Sequence, residues 1–217
     1  MDENEKIRNY KDRLRIFLIL YVFGEPYSDS NFPNLIRIFK SEQRIQKIDF
    51  LIRNSDYLSY ELINIAKFDL SKQLEIKKIV IEIFKNKEPV LRRLEMERFF
   101  FGAYEDIDNV IAFLKSVDFI DFTSKKSIDL KTIEKKYFIT KYAIDKFEST
   151  IQALPALNWY VERCELIKKY FGDLTGSQLR ISQYQIDEYK NTSYREYIGG
   201  IQDNVITEFF NLYSVKL

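Results

Sequence analysis

Residues 106–140 read DIDNVIAFLKSVDFIDFTSKKSIDLKTIEKKYFIT, and three hydrophobic patterns follow one another in this stretch. After Asp106, apolar residues recur every three or four positions, which predicts a helix with Asp106 as its N-cap. Two short apolar runs, Asp118–Phe122 and Tyr137–Thr140, follow on either side of a polar, lysine-rich stretch. A helix, two strands and a second helix from Lys141 are typical of a winged-helix module, in which the two strands form a short β-hairpin wing.

Helical spacing dominates on both sides of this stretch. It predicts an N-terminal helix that ends before Gly24 and further helices up to about residue 88. Pro155 and Gly172 suit the first turn and the end of a helix in the C-terminal third. The sequence therefore predicts a mainly α (α+β) protein whose parts pack as one body. The predicted parts are an N-terminal helical region over residues 1–88, a winged-helix module over residues 89–150 and a C-terminal helical region over residues 151–217.

Composition excludes several kinds of active site. The 217 residues include no histidine and one cysteine, Cys164, so Ser-His-Asp catalysis, Cys-His catalysis and the usual zinc sites are excluded. Cys164 lies on an apolar helical stripe, which favours a buried structural thiol. Gly-rich phosphate-binding loops are absent from the sequence. We expect no cofactor and no catalytic or metal-binding residues.

The charges are nearly balanced, with 34 Lys and Arg residues against 33 Asp and Glu residues. Such a balance argues against a surface built throughout for nucleic acid or for an anionic membrane. The longest apolar run, Ile16–Phe23, has eight residues, far fewer than the roughly 20 of a membrane span. We therefore expect a soluble cytoplasmic protein with no membrane partner.

The predicted wing is the most basic stretch, with six lysines against two acidic residues between Thr123 and Lys141. Lysines on a wing contact the DNA backbone in many winged helices, and such contacts are independent of sequence and sensitive to salt. A solvated loop or a wing that docks on protein would have the same composition. The candidate DNA contacts are Lys125, Lys126, Lys131, Lys135, Lys136 and Lys141.

Three consecutive aromatic residues, Phe99, Phe100 and Phe101, precede Gly102. Three rings in a row cannot all face one interior, whether the chain is helical or extended. We therefore expect at least one of them to meet a partner or a neighbouring part of the chain.

A resemblance to a known family rests on two stretches, RIQKIDFLIRNSDYLSYEL at residues 44–62 and EPVLRRLEMERFFFGAYE at residues 88–105. A third stretch, LRISQYQIDEY at residues 179–189, is similar in a weaker way. These stretches resemble the middle-component proteins of bacterial three-component ABC-ATPase defence systems. The small accessory subunit of Lamassu-type, SMC-like complexes belongs to that group.

The resemblance implies a non-catalytic subunit that lies between an SMC-like ABC ATPase, related to Rad50, and a nuclease-type effector. The ATPase would sense foreign DNA of phages or plasmids, and the subunit would help to control activation of the effector. DNA would be contacted indirectly or through the lysine-rich wing. The resemblance supplies no catalytic residues.

The charged positions of these stretches have two interpretations. They form salt bridges between the N-terminal helices and the winged helix, or they form a surface that docks on another subunit. The positions, together with one aromatic candidate, are Asp49, Arg53, Asp56, Arg92, Arg93, Glu97, Arg98 and Phe101.

Two other functions remain open at this point. A stand-alone winged-helix transcription regulator would form a homodimer on a palindromic DNA site. A metal-dependent nuclease is suggested by Asp69 followed by Glu75-Ile-Lys77, which matches the D…ExK order of such enzymes. That motif needs its last residues on a strand, whereas Glu75 and Lys77 lie in a stretch with helical spacing.

Overall fold

The structure is a computed structural model that describes residues 3–126, 132–151 and 155–217. Helices predominate, and within these residues the strands form a four-stranded antiparallel sheet and a two-stranded hairpin. The predicted mainly α (α+β) class is therefore confirmed. No helix in the described ranges has the length and apolar character needed to cross a membrane. The elements are α1 (Glu3–Phe23), β1 (Glu25–Pro26), β2 (Leu35–Lys40), α2 (Glu42–Arg53), α3 (Ser55–Phe68), α4 (Gln73–Lys85), α5 (Glu88–Leu91), β3 (Glu97–Phe99), β4 (Gly102–Tyr104), α6 (Asp108–Ser116), β5 (Ile120–Lys126), β6 (Thr132–Thr140), α7 (Lys141–Ile151), α8 (Pro155–Phe171), α9 (Gly176–Gln183), α10 (Asp187–Asn191) and α11 (Gln202–Tyr213).

The chain divides into two compact units, each built from two separate segments. Residues 1–49 and 106–176 form one, which we call the winged-helix unit. Residues 50–105 and 177–217 form the other, which we call the second unit. The predicted boundaries after residues 88 and 150 are therefore not where the structure divides.

The winged-helix unit explains this division. Its elements follow in the order α1, β2, α2, α6, β5 and β6, and residues 50–105, which begin in the last turn of α2, are inserted in the chain before α6. Strand β6 lies between β2 and β5 in the sheet, whose order is β1-β2-β6-β5. This element and strand order is that of a winged helix. The module thus comes from two chain segments, because its first long strand, β2, precedes the insertion and pairs with β6.

Helix α1 is the central helix of the winged-helix unit. Residues 15–20 are all buried, and the helix packs against α6 and α8. A helix that is apolar on nearly every side belongs inside a core. It ends at Phe23, as the sequence predicts, and Gly24 follows. A Cβ atom at Gly24 would lie 2.6 Å from the carbonyl oxygen of Leu20, so only glycine fits there without a shift.

The wing hairpin is longer than the apolar runs predict. Strand β5 continues to Lys126 and β6 already begins at Thr132, so both strands extend into the polar stretch. Lys125 lies opposite Glu134 and Thr123 lies opposite Lys136. Beyond the core, both faces of the hairpin carry polar residues, and an apolar pattern cannot mark the strand there.

The core of the second unit is aromatic. The rings of Phe50, Tyr57 and Tyr189 meet edge to face, with centroids 4.8 to 6.2 Å apart. Helices α4 and α11 both pack on α3 in this unit. The Tyr57 hydroxyl donates a hydrogen bond to the carbonyl of Gly199, and the backbone N–H of Ala103 donates to the Tyr189 hydroxyl. Buried tyrosines with satisfied hydroxyl groups fix one packing of the core.

Candidate functional site

The wing lysines do not share one environment. Lys135 lies on the same face of β6 as Tyr137 and Ile139, because side chains two residues apart on a strand point the same way, and both of these residues are buried. Lys135 therefore points towards the helices. Its ammonium group pairs with the Glu42 carboxylate at the start of α2 and lies 3.6 Å from Asp108 at the start of α6. Burial opposes the charge, but the hydrogen bond and attraction of Glu42 outweigh it and raise the pKa of Lys135. Lys135 therefore ties the wing to two helices.

The outer face of the sheet carries the other described lysines of the wing strands. Lys136 lies 3.2 Å from the carboxylate of Glu134, and Lys125 is exposed opposite Glu134. Lys40 of β2 lies directly opposite Lys136, so it joins the same face. Sequence reasoning missed Lys40 because its strand was not identified.

The three remaining candidate DNA contacts are placed as follows. Lys141 is exposed at the start of α7, where its backbone N–H donates to the carbonyl of Asn34. Lys126 ends β5, and its side chain is outside the described residues. Lys131 also lies outside the described residues.

Helix α6 is the element that would enter the major groove if this unit read DNA as a helix-turn-helix does. Its first turn is acidic, because the Asp108 carboxylate is 78% exposed there and the Asp106 carboxylate accepts the backbone N–H of Asp108. The N-cap is Ile107 and not the predicted Asp106, which lies directly before it. Lys115 in its last turn pairs with Asp121 at 2.6 Å. A helix that presents carboxylates at the end that meets base edges opposes reading of the groove.

Four of the charged positions from the resembling stretches form ion pairs within the units. The carboxylate of Asp49 on α2 accepts a hydrogen bond from Nε of Arg15, with 2.7 Å between Nε and Oδ1, and both side chains are 2% exposed. Arg93 lies 3.4 Å from the Asp56 carboxylate at the start of α3. Arg53 pairs with Glu105 at 2.7 Å. Since breaking a buried pair leaves an uncompensated charge, these contacts hold each unit together.

Arg53 clamps both ends of the β3–β4 hairpin. Its Nε donates to the carbonyl of Leu94 at 3.0 Å, and one terminal nitrogen donates to the carbonyl of Glu95 at 2.5 Å, just before the hairpin. The other terminal nitrogen reaches Glu105, just after the hairpin. The planar guanidinium can bind all three groups at once, which a lysine cannot do.

Asp56 is fully buried and joins three segments of the second unit. It accepts the backbone N–H of Ile201 at 2.8 Å before α11, and it faces Arg93. Arg93 in turn donates to the carbonyl of Ile198 at 2.6 Å. Burial raises the pKa of Asp56, while these donors act against that rise.

The other positions of the resembling stretches are more open to solvent. Arg92 is exposed, Glu97 is half-buried, and Arg98 is half-buried with its guanidinium 5.5 Å from the Tyr184 ring. Phe101 is 66% exposed and Phe100 is 72% exposed at the tip of the β3–β4 hairpin. Gly102, with a φ of 94°, follows them in the left-handed region that favours glycine.

The exposed phenylalanines belong to a larger set of rings on the second unit. Phe99 lies 5.0 Å from Tyr194 and 5.1 Å from Tyr104 between ring centroids, and Phe100 lies 4.7 Å from Tyr194. Sequence reasoning identified the phenylalanines but missed the tyrosines, of which Tyr104 ends β4 and the others are about 90 residues away in the chain. We call this set the aromatic surface; its members are Phe99, Phe100, Phe101, Tyr104, Tyr194 and Tyr197.

The described part of the chain shows no group of three or more Cys, Asp or Glu side chains that could hold a metal ion. Glu75 and Lys77, the last residues of the nuclease-like order, lie on helix α4. Residues two apart on a helix do not face each other. Asp69 instead caps a short 3-10 turn by accepting the backbone N–H of Ser71.

Cys164 is buried in α8, as predicted. Burial raises the pKa of its thiol far above the ordinary value, so the thiolate is not formed near neutral pH.

Comparison with known proteins gave no match among protein-family models, curated proteins or solved structures.

Proposed function

We propose that this chain is a non-catalytic accessory subunit of a cytoplasmic SMC/Rad50-like ATPase complex that defends bacteria against phages or plasmids. It bridges the ATPase and a nuclease-type effector and helps to control activation of the effector on foreign DNA. The proposal starts from the resemblance to middle-component proteins of Lamassu-type systems. The chain itself performs no chemistry in this role.

The observation that carries the proposal is the arrangement of residues 88–105, the second resembling stretch. Its charged residues near either end are engaged by Arg53 and Asp56 within the second unit. Its phenylalanines Phe100 and Phe101 are left largely exposed. A rigidly held segment that presents aromatic side chains is typical of protein interfaces, where aromatic residues are enriched.

The winged-helix unit has a separate role in this proposal. Its outer sheet face carries Lys40, Lys125 and Lys136, with Glu134 as the neighbouring acid. Such a face contacts the phosphate backbone weakly and without reading sequence, so it supports binding of DNA by the assembled complex. The acidic first turn of α6 also supports DNA binding that does not depend on sequence, since its carboxylates oppose recognition of bases.

The test is co-expression of the tagged chain with the products of its two neighbouring genes, followed by native mass spectrometry. We expect a complex of defined stoichiometry that contains a large coiled-coil ATPase. Omission of the chain should then change the nuclease activity of the effector in the presence of linear DNA. Elution of the chain alone, with both neighbours expressed and soluble, would overturn the proposal.

A second candidate, a stand-alone winged-helix transcription regulator, is favoured by the strand order β2-β6-β5. It predicts a homodimer that binds a palindromic site with an affinity at least about 10³-fold above that for random DNA. Selection from a random DNA pool with the purified chain would reveal such a site. Recovery of no enriched sequence would exclude this candidate.

A further inference from the structure

The aromatic surface lies on the two-stranded β3–β4 sheet and on a neighbouring segment that pairs with β3 through one bridge. Strand β4 lies on one side of β3, with Tyr104 opposite Glu97. Residues 196–198 lie on the other side, where the backbone N–H of Arg98 donates to the carbonyl of Glu196 and that of Ile198 donates to the carbonyl of Met96. These two bonds flank a bridge between Glu97 and Tyr197, which are therefore a non-hydrogen-bonded pair with closely spaced side chains.

Glu97 is thus a carboxylate placed between two tyrosines on one face. Residues directly opposite each other in an antiparallel pair share a face, so Tyr104 and Tyr197 flank Glu97 from both sides. Phe99, two residues along β3, lies on the same face. Among the residues that the structure describes, no cation pairs with Glu97, although the carboxylate is half-buried.

A cation stands at the other end of the same face. The guanidinium of Arg195 lies 5.8 Å from the ring centroid of Phe99 and 5.7 Å from that of Tyr194, and the side chain is exposed. Phe99, beside which Arg195 lies, and Glu97 are two residues apart on β3, which in a strand is about 7 Å. The face therefore presents rings together with one negative and one positive group.

The chemistry of this face selects its partner. A lysine or arginine beside Glu97 would gain the attraction of the carboxylate and a cation–π contact with the flanking tyrosines. A carboxylate on the partner would face Arg195. Bases and acids three or four residues apart on a helix are about 5–6 Å apart, close to the spacing that this face presents. A single-stranded nucleic acid would also stack on the rings, but it brings a phosphate for each base, and the central charge here is negative.

We propose that the face formed by Glu97, Tyr104, Tyr197, Phe99 and Arg195 is a docking site for a helix of a protein partner. That helix carries a lysine or arginine for Glu97, an acid three or four residues away for Arg195 and an apolar residue for the rings. The inference rests on the proposed function and deepens it, because it names the surface through which the subunit is held in its complex.

The experiment measures retention of the co-expressed neighbouring subunits by the tagged full-length chain. Glu97→Gln should weaken the complex about tenfold and Glu97→Lys more strongly, because a partner cation then meets no charge or a like charge. Glu196→Lys is the matched control, since it makes the same change of charge at an exposed acid next to Tyr197 that is not part of the proposed site. Phe68→Ala removes a ring that is 92% exposed elsewhere on the second unit, and it should leave retention unchanged.

A cross-link identifies the partner segment directly. With p-benzoylphenylalanine in place of Phe101, the linked peptide should contain a base and an acid three or four residues apart. Reversal of that base to glutamate should restore binding by the Glu97→Lys variant at least severalfold. Circular dichroism of each variant establishes that loss of binding is not loss of folding.

The failures can be told apart. If the wild-type chain retains neither neighbour, the proposed function fails, and the docking site that rests on it fails with it. If a complex forms and folded Glu97→Lys retains it as well as Glu196→Lys does, only the docking site is overturned. If the chain binds a fluorescent oligothymidylate and Tyr197→Ala abolishes that binding, the face binds nucleic acid, and the proposed docking site for a protein helix is overturned. If the chain forms a homodimer and Glu97→Lys dissociates it, the face binds a second copy of the chain, and the proposed docking site is overturned as well.

Discussion

The two hairpins of this molecule use their side chains in opposite ways. The β5–β6 hairpin has the most basic sequence of the chain, yet Lys135 is paired with Glu42 and Lys136 with Glu134. The β3–β4 hairpin has a mixed charge, yet it leaves Phe100 and Phe101 exposed. Charge in a sequence is therefore a poor measure of charge that a partner can reach, whereas exposed rings mark a surface that folding has not used.

The largest expected effect concerns the clamp under the aromatic hairpin. Arg53→Met removes the donors to Leu94, Glu95 and Glu105, three hydrogen bonds that the buried guanidinium makes at a partly buried site. We expect the free energy of unfolding to fall by about 3 kcal/mol, the upper end for loss of hydrogen bonds made by a charged group. Urea unfolding followed by tyrosine fluorescence measures it.

Arg92→Met is the control for that variant, because Arg92 is exposed on the same segment, and we expect a change below about 0.5 kcal/mol. Equal effects of the two variants would mean that Arg53 does not hold the hairpin.

The second prediction contrasts carboxylates of the two units. Glu42 and Glu134 of the winged-helix unit meet lysines, whereas buried Glu61 of the second unit accepts a 2.5 Å hydrogen bond from Ser182. Burial raises the pKa of Glu61, against the effect of that hydrogen bond. The folded chain then binds the proton more readily than the unfolded chain, so wild-type stability falls as the pH rises through the range between the two pKa values.

Glu61→Gln lacks this titration. We expect it to be about as stable as the wild type near pH 4 and more stable by about 1–2 kcal/mol at pH 8. Thermal unfolding of both proteins at several pH values measures the difference. A difference that does not change with pH would show that the charge on Glu61 is not what limits stability.

The third prediction tests the wing as a DNA contact. Lys40, Lys125 and Lys136 of the assembled complex are changed to Glu, while Lys135 is kept because it is paired internally. We expect about tenfold weaker binding of linear duplex DNA and a less steep dependence of affinity on salt, by about 0.9 in the logarithmic slope for each lost phosphate contact. Fluorescence anisotropy at several salt concentrations measures both. An unchanged slope would show that the wing does not contact the DNA backbone.

The smallest expected effect separates two adjacent lysines. Lys135→Met should lower the free energy of unfolding by about 1 kcal/mol, because Lys135 links β6 to α2 and α6. Lys136→Met should change it by less than about 0.5 kcal/mol, since its pair with Glu134 lies on the outer face. The raised pKa of Lys135 also means that its contribution is lost as the pH rises through that value. Chemical unfolding at pH 7 compares the two variants, and equal losses would contradict the assignment.

Much of the local structure was predictable from sequence. The end of α1 before Gly24, the limits of α8 and the paired strands of the wing all follow from short-range patterns. Burial of Cys164 follows from its position on an apolar stripe. These features depend on residues close together in the chain, where spacing and turn residues are informative.

What the sequence did not reveal depends on distant partners. Strand β2 has Ile38 and Phe39 both buried, so it lacks the alternation that identifies a half-exposed strand. Without β2, the winged helix could only be assigned to a continuous stretch. The sequence predicts Lys135 as a candidate DNA contact and does not reveal its pairing, because Glu42 lies 93 positions earlier in the chain. The tyrosines around Glu97 were likewise missed, because Tyr197 comes from the C-terminal segment.

The pairing of β2 with β6 has a consequence for synthesis of the chain. Leu35 lies opposite Thr140, so the ribosome must add about 100 residues after β2 before its main partner strand exists. At about 5–20 residues per second, that interval is roughly 5–20 seconds. During that time the apolar β2 strand has an unpaired edge, which is a template for pairing with other chains. Nascent chains of this protein should therefore depend on chaperones more than nascent chains of a continuous winged helix of the same size do.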